Sequence, residues 1–465
     1  MSAILNRLKK GNNFRSNKHV ASKIRESREF KKRLAFLRQS ERWSVARLRA
    51  YQLKELKRVV AFAYKNIPYY RELFDVQGLK PADIKTLEDI RKIPVLTRET
   101  IKRKYEKLLP RGIDLKKILY RTTGGSTGDP LVVFSDMNFV SRDRANTLYY
   151  LGVAGYDPYH YRSVRLYGDR IPDALRKKGT YWYAGHSGRQ LVMSCYDITK
   201  DTVKEYVEQI DTFTPAYIHT RPSAIYTLAR HMRDQKLRLK KKVGAIFCDG
   251  EILYDEQRSL IEKVFGARVY NVYGHTEGAM VGISCPRSRL MHFLPQVGIL
   301  ELLDSRGRPV VREGDRGEMV ATGFNNSLFP LIRYKTQDMG IATKKRCPCR
   351  RGYQMLKRVE GRAQDYVRNR KGELVPLAPA IFNYNDMDWT GIAQFKISQE
   401  RPGKLLVRAV LHHGTGKSTI KRRILGRFGK IFGSQFDVSV TFVRSIELSA
   451  IGKHRYLDQK MVVNS

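Results

Sequence analysis

The 465-residue sequence predicts an α/β protein: a large domain of parallel βαβ sheets with a barrel-like β region, then a small α+β domain. Residues 115–280 alternate short β-rich runs with helical ones. After residue 290 the texture changes to strands separated by turns. The C-terminal part mixes strands with one helical run, 418–432.

The elements follow in order. Residues 20–75 have few breakers and carry apolar positions at three- and four-residue spacing, which predicts helix. Pro68 interrupts that pattern. The runs "SVRLYG" (163–168), "AYIHT" (216–220), "VGAIFCDG" (243–250) and "RVYNVYG" (268–274) read as strands. Between them "TVKEYVEQIDTF" (202–213), "PSAIYTLARHMRDQ" (222–235) and "YDEQRSLIEKVFG" (254–266) read as helices. Strand, helix, strand in this rhythm implies right-handed crossovers and a mostly parallel sheet. "VGILELLDSRGRPV", "RGEMVATGF" and "LIRYKTQDMGIATKK" supply the barrel-like region, and "LLVRAVLHH" and "DVSVTFV" the strands of the small domain. The boundaries expected are a basic, mainly helical extension at 1–50, a large domain at 51–364 and a small one at 365–465.

Eighty-eight Lys and Arg against forty-five Asp and Glu leave a formal charge of +43. Residues 1–50 alone hold fifteen basic and three acidic side chains. Such a field attracts nucleic acid, an anionic polymer or an anionic membrane surface by charge, without naming which. A generally basic proteome explains it equally well. The odd count of five cysteines, with no signal-peptide pattern, points to a reducing compartment. No apolar run reaches the roughly 18–20 residues that span a bilayer. A cytoplasmic protein is expected, at most peripheral to the inner membrane surface.

The stretch "YRTTGGSTGDPLVVF" (120–134) concentrates glycines and hydroxyls in one loop. Glycines let backbone N–H groups turn toward one oxyanion, and Thr122, Thr123, Ser126 and Thr127 add donors around Gly124, Gly125 and Gly128. A glycine-rich hairpin turn is the plainer reading. "HHGTGKST" (412–419) ends like a P-loop, but Leu411 stands where the first glycine belongs, and too little chain follows for a nucleotide-binding sheet. "NVYGHTEG" (271–278) lies where a strand ends, the place where α/β sheets bind ligands, and Glu277 there suits Mg²⁺. "PLIRYKTQDMG" (330–340) puts Asp338 in a turn, where a carboxylate can accept from ribose hydroxyls, and "KRVEGRAQDYV" (357–367) supplies Arg362 and Asp365.

Taken together, "TTGGSTGDP", "YGHTEG", "RYKTQD", "VEGRAQD" and "ELSAIGKHRY" resemble, in order and spacing, the adenylate-forming superfamily of acyl- and aryl-CoA ligases. The nearest branch is the phenylacetate–CoA ligase family with its capsule-polysaccharide biosynthesis relatives, which "AYKNIPYYRELF" and "IPVLTRETI" also resemble. The resemblance runs from about residue 45 to 457. It implies an ATP-binding adenylating domain with a swinging C-terminal lid. It further implies an ATP-dependent ligase that converts a carboxylic acid to its adenylate, releases pyrophosphate and transfers the acyl group to a thiol (coenzyme A) or an amine. Carried over, Thr122 to Gly128 close over the β,γ-phosphates, and Gly250, Glu251, Tyr273 and Gly274 flank the adenine and the acyl site. Thr276 touches the α-phosphate and Glu277 ligates Mg²⁺. Asp338 binds the ribose with Arg362 nearby, Asp365 is the hinge, and Lys453 stabilises charge as the carboxylate attacks the α-phosphorus. The acid pocket is expected around Tyr120, Phe134, Tyr217–Pro222 and Gly250.

Two departures stand out. The family's "TGD" is here "TQD", with Gln337 in place of glycine, which is expected to tighten or re-aim the turn carrying Asp338. No lysine follows the proline of the phosphate loop. Cys285, His292, Cys347 and Cys349 have a spacing that suits a closed structural Zn²⁺ site, as in some members of that branch. The alternative is a tight "CPC" turn with reduced thiols and an exposed His292. Cys195 and Cys248 read as buried apolar residues. Against the ligase stands a basic polyanion- or nucleic-acid-binding protein on a degenerate adenylation fold.

Overall fold

The computed structural model describes residue 24 and residues 27–114, 118–122, 131–169, 171–185, 188–362, 366–372, 374–377, 391–412, 414–447 and 456–459. Along the chain, α1 (Arg28–Ser40), α2 (Val45–Asn66), α3 (Pro68–Val76) and α4 (Arg98–Arg103) precede a strand pair, β1 (Leu119–Thr122) and β2 (Val132–Ser135). Helix α5 (Met137–Val153) leads to β3 (Ser163–Tyr167), α6 (Asp173–Arg176), β4 (Trp182–Ala184) and β5 (Gln190–Ser194). Then come α7 (Val203–Phe213), β6 (Tyr217–Thr220), α8 (Pro222–Asp234), β7 (Ala245–Cys248), α9 (Asp255–Phe265) and β8 (Arg268–Gly274). Strands β9 (Val281–Ser284), β10 (Met291–Phe293), β11 (Gly298–Leu303), β12 (Arg316–Gly323), β13 (Tyr334–Ala342) and β14 (Gln354–Arg362) follow without an intervening α-helix among the described residues. The chain closes with β15 (Tyr366–Arg368), β16 (Leu374–Pro376), β17 (Ile392–Arg401), β18 (Lys404–Leu411), α10 (Lys417–Phe432), β19 (Asp437–Phe442) and β20 (Leu457–Gln459).

Two compact units result, each discontinuous in sequence: residues 1–160 with 270–360, and residues 161–269 with 361–465. In the first, β11, β12, β13, β14, β10, β9 and β8 lie side by side in that order. The pairings of β11 with β12, β12 with β13, β14 with β10, β10 with β9 and β9 with β8 are antiparallel. This is the turn-separated sheet expected after residue 290; barrel closure is not among its described pairings. Helix α2 buries Leu56, Val59, Val60 and Ala63, a stripe at three- and four-residue spacing. Pro68 opens α3 instead of breaking a longer helix, because a first-turn proline forfeits no intrahelical bond. Tyr70, Phe74, Phe134, Phe293, Phe324 and Phe329 fill the same core.

Helix α1, within the segment expected to be an extension, packs into this unit. Ser27 caps it by accepting from Phe30 N at 3.2 Å. Arg33 is buried, and its guanidinium donates to Asn146 Oδ1 at 3.1 Å and to the Gln296 carbonyl at 2.9 Å.

The second unit contains the predicted parallel sheet, in the order β7, β6, β3, β5, β4. β3 is parallel to both β5 and β6, β6 is parallel to β7, and only β4 runs antiparallel, along β5. Ile218, Ile246 and Val164 pack with Tyr206, Ile210, Ile225, Leu228 and Ile261 from helices α7, α8 and α9. A second sheet, in the order β19, β18, β17, β20, carries α10, whose Ile420, Ile424, Phe428 and Phe432 recur every fourth residue on one face. Residues 361–465 group with 161–269 in this unit.

Candidate active site

In the first unit two motifs far apart in sequence meet. β8 ends at Gly274, and the chain turns through His275, Thr276 and Glu277 before Gly278, whose φ of +66° suits glycine and where a side chain would overlap the Phe139 ring. Tyr273 Oη donates to Asp338 Oδ2 at 2.8 Å, and Tyr334 Oη donates to Glu277 Oε1 at 2.8 Å. Those two bonds join "YGHTE" to "RYKTQD".

Glu277 is only 6% exposed. Burial works against its charge, but His275 and the Tyr334 hydroxyl overcome that and hold the carboxyl at about 2. It is therefore ionised at neutral pH. His275 Nδ1 lies 3.1 Å from Glu277 Oε2, and an ionised carboxylate only accepts, so Nδ1 carries the proton. His275 Nε2 is buried with no hydrogen-bond partner among the described residues. Burial, and then the Asp338 charge, push the Tyr273 phenol well up, so it stays a donor.

Asp338 sits in an irregularity of β13. Its N–H donates to Thr336 Oγ1 at 3.2 Å, and Thr336 Oγ1 donates to the Met319 carbonyl at 2.8 Å. Gln337 has a φ of +65°, the left-handed region where the related motif carries glycine. The turn keeps the glycine conformation despite the substitution.

The remaining expected residues divide. Gly250, with a φ of +74°, and Glu251 follow β7 in the second unit, where Glu251 Oε2 accepts from Ser223 N at 3.0 Å. Thr122 ends β1 opposite Val132. Arg362 ends β14. Thr123, Gly124, Gly125, Ser126, Thr127, Gly128, Asp365 and Lys453 lie outside the described residues. Phe134, expected near the acid pocket, is a core residue against Tyr105 and Phe329. Tyr334 and His275 are the participants that sequence reasoning passed over. Both lie inside quoted motifs, yet nothing in residue type reveals that each serves Glu277.

The four candidate zinc ligands also converge, in the first unit. One ligand atom from each of Cys285, His292, Cys347 and Cys349 lies within 4.8 Å of the others. Cys347 and Cys285 sulfurs are 3.4 Å apart, and Cys349 Sγ is 4.0 Å from the His292 ring nitrogens. A tetrahedral zinc with Zn–S near 2.3 Å sets its sulfurs about 3.8 Å apart, so this donor set fits. His292 is buried on β10, not exposed as the alternative required. A cavity of about 10 Å³ beside the cluster admits no substrate. Of the other thiols, Cys248 is fully buried and Cys195 half-buried.

No family model matches the sequence. The chain is 26% identical to Protein CapK of Staphylococcus aureus, over 84% of this chain and 85% of that protein. It is 28% identical to the phenylacetate-coenzyme A ligase of Aromatoleum evansii, over 72% and 75%. A crystal structure of 2-hydroxyisobutyryl-CoA ligase in the postadenylation state superposes with a TM-score of 0.70, at 20% identity, covering 91% of each chain. The chain has the fold of the adenylate-forming acyl-CoA ligases. Its relatives are the phenylacetate–CoA ligases and CapK. Among the described residues, no helix is long and apolar enough to cross a membrane.

Proposed function

We propose that this chain activates a carboxylic acid as its adenylate at the expense of ATP and passes the acyl group to coenzyme A. The observation that carries this reading is the pair of 2.8 Å bonds, Tyr273 to Asp338 and Tyr334 to Glu277. They assemble a ribose-type acceptor and an ionised, buried carboxylate within one unit. Phenylacetate-coenzyme A ligases among the relatives support the same reaction class.

Each group has a physical task. Asp338 accepts from the ribose hydroxyls; a carboxylate has room for them beside the Tyr273 donor. Thr276, on the turn between Tyr273 and Glu277, donates to the α-phosphate. Glu277 is the residue to hold Mg²⁺, since that ion is commonly bound by one or two carboxylates together with substrate phosphates. When bound, Mg²⁺ neutralises charge on the phosphate oxygens. His275 and Tyr334 keep Glu277 ionised and fixed in direction. Residues 122–128 donate backbone N–H groups to the β,γ-phosphates, and the Lys453 ammonium meets charge building at the α-phosphorus. Cys285, His292, Cys347 and Cys349 hold Zn²⁺, which ties the β9–β10 turn to the segment before β14 and leaves no coordination position for substrate.

Acid-dependent exchange between ATP and pyrophosphate tests the reading. With a panel of carboxylic acids, at least one is expected to support exchange, and Lys453→Ala to lower that rate by 100-fold or more. No exchange with any acid, or an undiminished rate in Lys453→Ala, would overturn it.

A further inference from the structure

The imidazole of His275 has one nitrogen engaged and one idle. Nδ1 donates to Glu277 Oε2 at 3.1 Å, and the other oxygen of that carboxylate accepts from Tyr334 Oη at 2.8 Å. Glu277 is thereby fixed in direction and fixes the imidazole in turn. Because the hydrogen bond at one ring nitrogen sets the tautomer, Nε2 of the neutral ring is a lone-pair acceptor. It is buried with no hydrogen-bond partner among the described residues. An acceptor in that state has lost its hydration and gained no bond in its place, which native structures rarely tolerate without a reason.

The two phenols beside the ring cannot serve it. The Tyr273 and Tyr334 rings lie 6.0 and 6.3 Å from the His275 ring, centroid to centroid. Each phenol has one proton; Tyr273 gives its own to Asp338, and Tyr334 gives its own to Glu277. The turn itself borders solvent, with Gly274 exposed and Thr276 half-buried on either side of His275. On the ligase reading Thr276 meets the α-phosphate, where the acid's carboxylate attacks, and Asp338 takes the ribose. His275, next to Thr276 and bonded to Glu277, then stands at the phosphate and acid end of the nucleotide, within the first unit.

We propose that His275 selects the acid: its Nε2 accepts a hydrogen bond from a hydroxyl or amino group that the acid carries close to its carboxylate. The proposal rests on the acid–CoA ligase reading and narrows it to hydroxy and amino acids. A fatty acid or an unsubstituted aryl acid brings no donor and leaves Nε2 unpaired. A site built to bond a substrate hydroxyl or N–H discriminates strongly against the analogue that lacks it.

The test measures pyrophosphate exchange on the full chain with acids matched in pairs: lactate and β-alanine each against propionate, and salicylate against benzoate. Wild type is expected to favour the donor-bearing member of at least one pair by kcat/KM. His275→Asn keeps an N–H for Glu277 and has no acceptor at the Nε2 position. It is expected to lower that ratio about 5- to 100-fold, the range for a buried hydrogen bond lost on one side. His275→Gln, whose amide oxygen reaches the Nε2 position, is expected to fall in between. A ratio unchanged in His275→Asn overturns the proposal, as does a wild type that favours no donor-bearing acid. A rise in KM for ATP in His275→Asn, equal with every acid and absent with inosine triphosphate, also overturns it and assigns Nε2 to the adenine amino group. Should no acid support exchange, the ligase reading fails separately. Thermal stabilisation of wild type by a donor-bearing acid beyond that by its matched partner, lost in His275→Asn, would still uphold the acceptor site, and equal or no stabilisation would sink it.

Discussion

Replacing Gln337 by glycine should stabilise the first unit. β12 and β13 pair Glu318 with Met339 and Val320 with Lys335, so Thr336, Gln337 and Asp338 stand opposite Met319 alone. The bulge drives Gln337 to a φ of +65°, where a side chain costs roughly 1–2 kcal/mol through crowding of Cβ against its own carbonyl. Glycine removes that crowding but gives up about 0.5–1 kcal/mol through its freer unfolded chain. The net gain for Gln337→Gly is about 0.5–1 kcal/mol. In a body of 150–250 residues this raises the melting temperature by about 1–4 °C. Differential scanning fluorimetry on wild type, Gln337→Gly and Gln337→Ala reads the effect, because the alanine variant removes the side chain and keeps the strain. A glycine variant melting at or below wild type would refute the reasoning, as would an alanine variant that gains as much as glycine.

Two further outcomes are expected. Elemental analysis should find zinc in the wild type and none in Cys347→Ser, which should also melt lower with ATP affinity unchanged; a metal-free wild type would remove the zinc proposal. Glu277 is held at about 2 against an ordinary 4.5, so the stability it contributes is complete above about pH 4.5 and is lost as pH falls toward 2. Glu277→Gln should therefore abolish acid-dependent exchange and flatten the urea midpoint between those pH values; an acid profile parallel to wild type would contradict that origin.

Much of the second unit was legible because its strands are short, apolar and bounded by amphipathic helices. "AYIHT" and "VGAIFCDG" bracket β6 and β7, and "PSAIYTLARHMRDQ" matches α8 within a residue. The N-terminal helix was harder to place. Its charge density resembles a solvated extension, and only the fold shows Arg33 satisfied by the Gln296 carbonyl and Asn146. At the candidate site, motif spacing singled out Glu277 and Asp338, but not the hydroxyls of Tyr334 and Tyr273 that bond to them. Whether a carboxylate accepts from a phenol depends on contacts between segments, not on either segment's composition.

Arg33 and its acceptor, the Gln296 carbonyl, are 263 positions apart, and residues 161–269 of the other body are encoded between them. At 5–20 residues per second a ribosome needs about 13–50 s to span that interval. Throughout it the nascent amphipathic helix has at most the α5 side of its permanent seat, Phe139, Val140 and Leu148, for its apolar face. Cells that synthesise this chain faster than they can shield that face should accumulate it in inclusion bodies, and slowing translation or supplying a holdase should recover it.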